Sequence, residues 1–297
     1  MHFAGHESFH IREGWLRKGL LAVQGDPFVF SKEYPEDILG VGHNMVSAIR
    51  YWLRACGLAN GLKAERGPKN ALAFELTPLA NRILKVDPYF EDDQTWALLH
   101  YQLATNRDFA TTWYWTFNKL TARQFDQELV VNSLKAFIAS QVKTRLSDSS
   151  LERDFYCLTR TYSTDADSDV SPEDSLDCPM SRLNLVEHLP STKVFRMMAP
   201  KLESLTPPIF YHCLLQYRES KGITSPTLSF QEVLRGELSP GRVFNFDAET
   251  LFEHLSRLSK VRLLDYSKAA GLNTITLIET KRDRVLSEYY AHGGVLA

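Results

Sequence analysis

Apolar residues recur at helical spacing through most of the chain, and glycine- and proline-rich turns interrupt them. Trp15, Leu16, Leu20 and Val23 predict a first helix within 12–23, with a loop at Gly25-Asp26-Pro27 behind it. A short helix is expected over 35–39, closed by Gly40-Val41-Gly42. Met45, Ile49, Trp52, Leu53 and Cys56 then fall three and four residues apart, which predicts an amphipathic helix from His43 or Asn44 to about Cys56. Asn44 is expected to cap it and Gly57 to stop it. Two strand-like runs between 61 and 76 flank the turn residues Gly67-Pro68-Lys69-Asn70.

Helix, glycine turn, amphipathic helix and basic hairpin is the order of a winged helix, so 1–85 is expected to form one. From 77 to about 204 the pattern is mainly helical, with a turn over Asp87 to Asp92, a strongly apolar helix at 95–104, and a helix at 111–120 too aromatic to be exposed. An amphipathic helix is expected at 125–145 and a polar, acidic loop at 163–171. Helices are expected next at 208–221, 230–236 and 248–259, the last capped by Asp247. Strands at 261–266 and 273–279 around Gly271 complete a second winged-helix-like unit. The expected fold is therefore mainly α with small β wings: an N-terminal winged helix (1–85), a helical middle domain carrying the acidic loop (86–205), and a C-terminal winged-helix-like domain (206–297).

Composition narrows the function classes. No apolar run approaches the roughly 18 residues that span a bilayer, and the opening MHFAGHESFH lacks a secretory pattern. A cytoplasmic protein without a membrane partner is expected. Cys56, Cys157, Cys178 and Cys213 form no CxxC pair and are expected to be buried, reduced thiols. The formal net charge of −2 excludes a uniformly basic surface. Charge is nonetheless segregated: Arg50, Arg54, Lys63, Arg66 and Lys69 face one acid, Glu65, between 41 and 70. With His43, Asn44 and Ser47 these residues form the candidate double-stranded DNA face, the cations on phosphates and Asn44 and Ser47 nearest bases. Winged helices also dock proteins, so an adaptor or a transcriptional regulator is the alternative reading.

Two groups have the chemistry to cut a phosphodiester. His6 and His10 share a face at i, i+4 spacing if the segment is helical or a turn, with Glu7 adjacent and Arg12 available for phosphate. The competing reading makes this segment a capping loop with His6 buried and hydrogen-bonded. Asp87, Glu91 and Asp92, near His100, offer oxygen ligands for Mg²⁺ or Mn²⁺, or serve as turn and helix-start acids. Glu173, Asp174 and Asp177 read as a loop anchor. No GxxxxGK[ST], GxGxxG or GxSxG motif occurs, which leaves ATP-driven chemistry to a partner.

Several stretches, in order along nearly the whole chain, carry a resemblance. They are GHESFHIREGWLRKG from Gly5, LGVGHNMVSAIRYWLRACGL from Leu39, LTPLANRIL from Leu76, DPYFEDDQTWALLHYQLATN from Asp87 and TTWYWTFN from Thr111. EDSLDCPMSRLNLV from Glu173, SPGRVFNFD from Ser239 and AAGLNTITLI from Ala269 continue it. The chain resembles an uncharacterised-domain family found beside DNA phosphorothioation and other anti-phage genes, whose best-known branch is the SspB DNA-nickase type. The resemblance implies a DNA-binding component of a sulfur-modification defence system that nicks DNA for modification. A cysteine desulfurase, an ATPase and a sulfurtransferase-like enzyme are the implied partners. One departure is His43, which stands where the family usually has a basic residue after the Gly-Val-Gly turn.

Overall fold

The computed structural model describes residues 1–63, 71–141, 147–163, 178–269, 272–278 and 281–291. Helices dominate, and the strands gather in small antiparallel sheets, as the mainly-α expectation holds. The chain divides into two compact units, Met1–Thr116 with Leu120–Met197, and Phe117–Lys119 with Met198–Ala297.

In the first unit, α1 (Trp15–Gly25), α2 (Pro35–Leu39) and α3 (His43–Ala55) precede a hairpin of β1 (Ala59–Lys63) and β2 (Leu72–Leu76). β1 and β2 pair antiparallel, Ala59 opposite Leu76 and Lys63 opposite Leu72. Burial of Val46, Ile49, Trp52 and Leu53 fixes one face of α3, each aliphatic side chain contributing about 1.5–3 kcal/mol. Gly19 lets α1 lie close against that helix, since a Cβ there would stand 2.7 Å from Ile49. The expected Asn44 cap is not used. α3 starts two residues earlier behind Gly42, which makes no side-chain cap, and Asn44 sits exposed in the first turn. Gly57 takes the left-handed φ of 64° that ends the helix, as expected.

α4 (Pro78–Val86), α5 (Asp93–Thr105), α6 (Thr111–Asn118), β3 (Gln124–Phe125), α7 (Gln127–Gln141), α8 (Asp148–Tyr162), β4 (Val186–His188) and β5 (Phe195–Met197) follow. The three short strands pair in the order β3-β5-β4, a sheet the helical reading of 77–204 did not include. Packing and hydrogen bonds join the residues on either side of position 85. Asn106 donates to the carbonyls of Arg54 and Ala55, both at 3.1 Å. Trp113 on α6 meets Trp52 on α3 edge to face at 5.4 Å. The acidic residues 164–177, including Glu173, Asp174 and Asp177, lie outside the described residues.

The second unit holds α9 (Pro207–Ser220), β6 (Thr227–Ser229), α10 (Phe230–Arg235), α11 (Pro240–Val243), α12 (Ala248–Lys260), β7 (Leu264–Ala269), β8 (Leu272–Leu277) and α13 (Arg282–Ala291). Asp247 caps α12 as expected, accepting from Thr250 N–H at 2.8 Å. The expected terminal hairpin is present as β7 and β8, and β6 joins it in the order β6-β8-β7. The Ser239-Pro240-Gly241 turn becomes the start of α11, with Ser239 capping Arg242. Among the described residues no helix is long and apolar enough to cross a membrane.

Candidate functional site

A cleft of about 320 Å³ in the first unit brings α3 and the N-terminal segment together. Ser47, Arg50 and Arg54 enter it from α3, His2, Gly5 and Glu7 from the N-terminal segment, and Tyr51, Leu72 and Phe109 complete the wall. Residues 43, 47, 50 and 54 lie four, three and four apart, so one face of α3 presents them in a line. His43, Asn44 and Arg50 are exposed, while Ser47 and Arg54 are half-buried.

The Arg54 guanidinium stacks on the Phe109 ring at 4.0 Å. Partial burial, and then the charge of Arg50, hold Arg54 below its ordinary range. Among the described residues neither guanidinium forms a salt bridge to a carboxylate. Two neighbouring cations without a salt-bridged carboxylate among the described residues make a place where an anion is favoured. His43, at the other end of the strip, meets the Glu36 carboxylate through Nδ1. A hydrogen bond from its own backbone, and then His43, hold Glu36 below the usual carboxylate range.

The opposite wall depends on a tight turn over residues 4–8. Ala4, Glu7 and Ser8 have φ of 53°, 50° and 68°, left-handed conformations that cost of order 1 kcal/mol or more each and persist where surrounding contacts impose them. Those contacts are visible. His6 is fully buried, and its Nδ1 accepts from Ser8 N–H at 3.0 Å. The proton therefore sits on Nε2, which donates to Asp154 Oδ1 at 2.9 Å. Asp154, on α8, also accepts from Ala4 N–H at 2.6 Å and from the Thr112 hydroxyl at 2.5 Å. His2 N–H donates to Thr111 Oγ1 at 3.0 Å, and its ring stacks on Tyr51 with centroids 5.7 Å apart. Gly5 is required for this closeness, since a Cβ would lie 2.2 Å from His2 Nε2. Partial burial lowers the His2 pKa, and the nearby Asp154 opposes that shift.

Of the helical and turn conformations open for His6, Glu7 and His10, the chain takes the turn. The segment is a turn, His6 and His10 are buried, and Glu7 alone of the three lines the cleft. Arg12 lies over the rings of Phe9 and Trp15, 5.4 Å from each. His2, Thr112 and Asp154 were not among the sequence candidates. Asp87 and Glu91 do not reach the cleft lining. Asp87 accepts from Glu91 N–H at 2.9 Å and Asp92 N–H at 3.3 Å. Asp92 in turn caps α5 by accepting from Gln94 N–H at 2.9 Å. His100 is buried and paired with the Tyr162 hydroxyl at 2.8 Å. Among the described residues no three His, Cys, Asp or Glu side chains are grouped so as to hold a metal ion. Lys63 is exposed on β1, whereas Arg66 and Lys69 lie outside the described residues.

Comparison with known proteins adds a family. A model described as "Protein of unknown function (DUF4007)" matches residues 3–290. An SspB crystal structure is similar at 26% identity and a TM-score of 0.88, over 97% of this chain and 88% of that one. A magnesium ion-bound SspB crystal structure gives the same values. No curated protein matches in sequence. With the family model spanning nearly the whole sequence, the chain belongs to the DUF4007 family.

Proposed function

We propose that this protein is a DNA-binding component of a DNA phosphorothioation, anti-phage system and that it nicks the DNA to be modified. Its likeness to SspB and its family membership support the pathway. The observation that carries the DNA reading is the strip on α3, ending in two guanidiniums that have no carboxylate partner among the described residues. The order α1, α2, α3, β1, β2 suits a winged helix, with α3 toward the major groove and the hairpin toward the backbone. In this reading Arg50, Arg54 and Lys63 hold phosphates, as do Arg66 and Lys69, and His43 lies at the edge of the same face. Asn44 and Ser47 approach base edges.

For nicking, Glu7 is the group at the cleft suited to take a proton from an attacking water, with the arginines offsetting charge on the phosphate. His6 and His10 stand behind it as structure. A magnesium ion is bound in one of the SspB structures. Here Asp87, Glu91 and Asp92 are not grouped so as to hold such an ion among the described residues. The cleft itself offers one carboxylate, Glu7. A cysteine desulfurase, an ATPase and a sulfurtransferase-like enzyme are the proposed partners.

Supercoiled plasmid incubated with the purified full chain, in Mg²⁺, Mn²⁺ or EDTA, tests the activity. Open-circle product is expected, and Glu7→Gln should abolish it. Duplex binding without nicking would make the protein a non-catalytic adaptor. Titrating salt against duplex affinity tests the face: Arg50→Ala and Arg54→Ala should each lower the log–log slope by about one unit. An unchanged slope and affinity in both variants would put the DNA surface elsewhere.

A further inference from the structure

We infer that Asp154, at the centre of α8 and outside the cleft lining, is the positioning residue that sets the cleft's N-terminal wall. This rests on the reading of the cleft as a DNA phosphate site. Glu7 and His2 belong to a segment without helix or strand, where the local backbone hydrogen bonds are turn contacts, Glu7 N–H to the Ala4 carbonyl at 3.3 Å and Phe9 N–H to the His6 carbonyl at 2.8 Å. The long-range contacts that tie this turn to the rest of the unit converge on one buried carboxylate about 150 residues away. Asp154 is 1% exposed. Its Oδ1 receives Ala4 N–H before Glu7 and His6 Nε2–H immediately beside it, and its Oδ2 receives the Thr112 hydroxyl.

The grip works at two levels. Asp154 holds the imidazole of His6, and the other nitrogen of that ring holds Ser8 N–H, so Glu7 is bracketed by two residues that both trace back to α8. Thr112 is joined to the same carboxylate, and its neighbour Thr111 receives His2 N–H. One carboxylate thus ties the Glu7 turn to α6 and α8, and the adjacent Thr111 on α6 holds His2. The left-handed backbone at Ala4, Glu7 and Ser8 is the conformation that would relax first if the carboxylate were lost. Arg50 and Arg54 are carried by α3 itself and would stay in place. The wall facing them would not.

Asparagine at 154 keeps an oxygen for the two N–H donors and offers an N–H to the Thr112 hydroxyl, which can accept it. Alanine removes every acceptor. Affinity of the full chain for a short fluorescein-labelled duplex is measured for wild type, Asp154→Ala, Asp154→Asn and Arg54→Ala, with the melting temperature of each. Ile83→Ala, a buried position on α4 in the same unit, supplies destabilisation without touching the cleft. Asp154→Ala is expected to weaken binding about tenfold or more, Asp154→Asn less than about twofold, and Ile83→Ala to lose melting temperature while keeping affinity.

If Arg54→Ala weakens binding while folded Asp154→Ala binds like wild type, the positioning role is overturned and the DNA reading survives. Equal losses in Asp154→Ala and Asp154→Asn also overturn it, because the carboxylate's charge would matter in place of its acceptor geometry. If Arg54→Ala changes nothing, the cleft is not the DNA site and this inference falls with it. Should Asp154→Ala fail to fold, Thr112→Val removes one donor at nearly constant shape. A smaller loss in the same direction then supports the role, and unchanged affinity overturns it.

Discussion

Acidification from neutral toward about pH 4 is expected to destabilise the second unit, and His254→Phe should remove most of that loss. His254 on α12 is fully buried, stacked 4.7 Å from the Phe246 ring with Phe210 at 5.0 Å. Neither ring nitrogen has a hydrogen-bond partner among the described residues. Burial, and secondarily the charge of Arg257, pull its pKa from 6.5 down to about 3. Between those values the unfolded chain binds a proton that the folded unit refuses. Stability is therefore complete above 6.5 and is lost as pH falls toward 3. The limit of that loss is on the order of 5 kcal/mol, a large part of the stability of a domain of this kind. Phenylalanine keeps the stacked ring and has nothing to protonate, so at neutral pH it should be neutral or slightly stabilising. Hydrogen exchange in α9 and α12, compared between the two proteins at each pH, measures this directly. Identical acid sensitivity would mean that other groups take up the protons.

Trp52→Ala is expected to cost about 3–5 kcal/mol in the first unit and to loosen α8 together with α3. The indole is fully buried, and its N–H donates to the Phe9 carbonyl at 3.0 Å. Its ring meets Tyr51 at 5.0 Å, Trp113 at 5.4 Å and the His6 imidazole at 6.1 Å. Truncation leaves a cavity, an orphaned carbonyl and an unsupported His6. Because His6 is the partner of Asp154, the disturbance should reach α8, although nearly 100 residues separate it from α3 in sequence. Faster exchange confined to 1–85 would instead mean that the N-terminal part unfolds independently of the rest of its unit.

That second outcome bears on what the residues revealed in advance. α3 was legible because Ile49, Trp52 and Leu53 repeat at helical spacing, and the face left over held Ser47, Arg50 and Arg54. β7, β8 and the Asp247 cap were legible for the same local reasons. The extent of the first compact unit, which runs past residue 85 to Thr116, was not, since a turn at Asp87-Pro88 looks the same whether it separates domains or joins two helices of one core. Strands β3, β4 and β5 have two or three residues each, too few to show alternation. Half of the candidate site was hidden for a different reason. Glu7 could be suspected from its chemistry, but His2, Thr112 and Asp154 acquire their places through contacts between distant segments, and no periodicity records such contacts. The buried alternative considered for His6 is the one its surroundings favour: a ring with both nitrogens occupied by Ser8 and Asp154 has no lone pair or proton left for a substrate.

The interior placement of the sulfur atoms has a practical consequence for watching this molecule at work. Cys56, Cys157, Cys178 and Cys213 are all buried, and burial pushes the thiols of Cys56, Cys157 and Cys213 up, away from the thiolate. Maleimide reacts with exposed thiolate. A cysteine introduced at exposed Asn60 on β1 would take up a fluorophore ahead of the native four, without a cysteine-free background. A dye at that site could report duplex engagement by energy transfer from otherwise native protein.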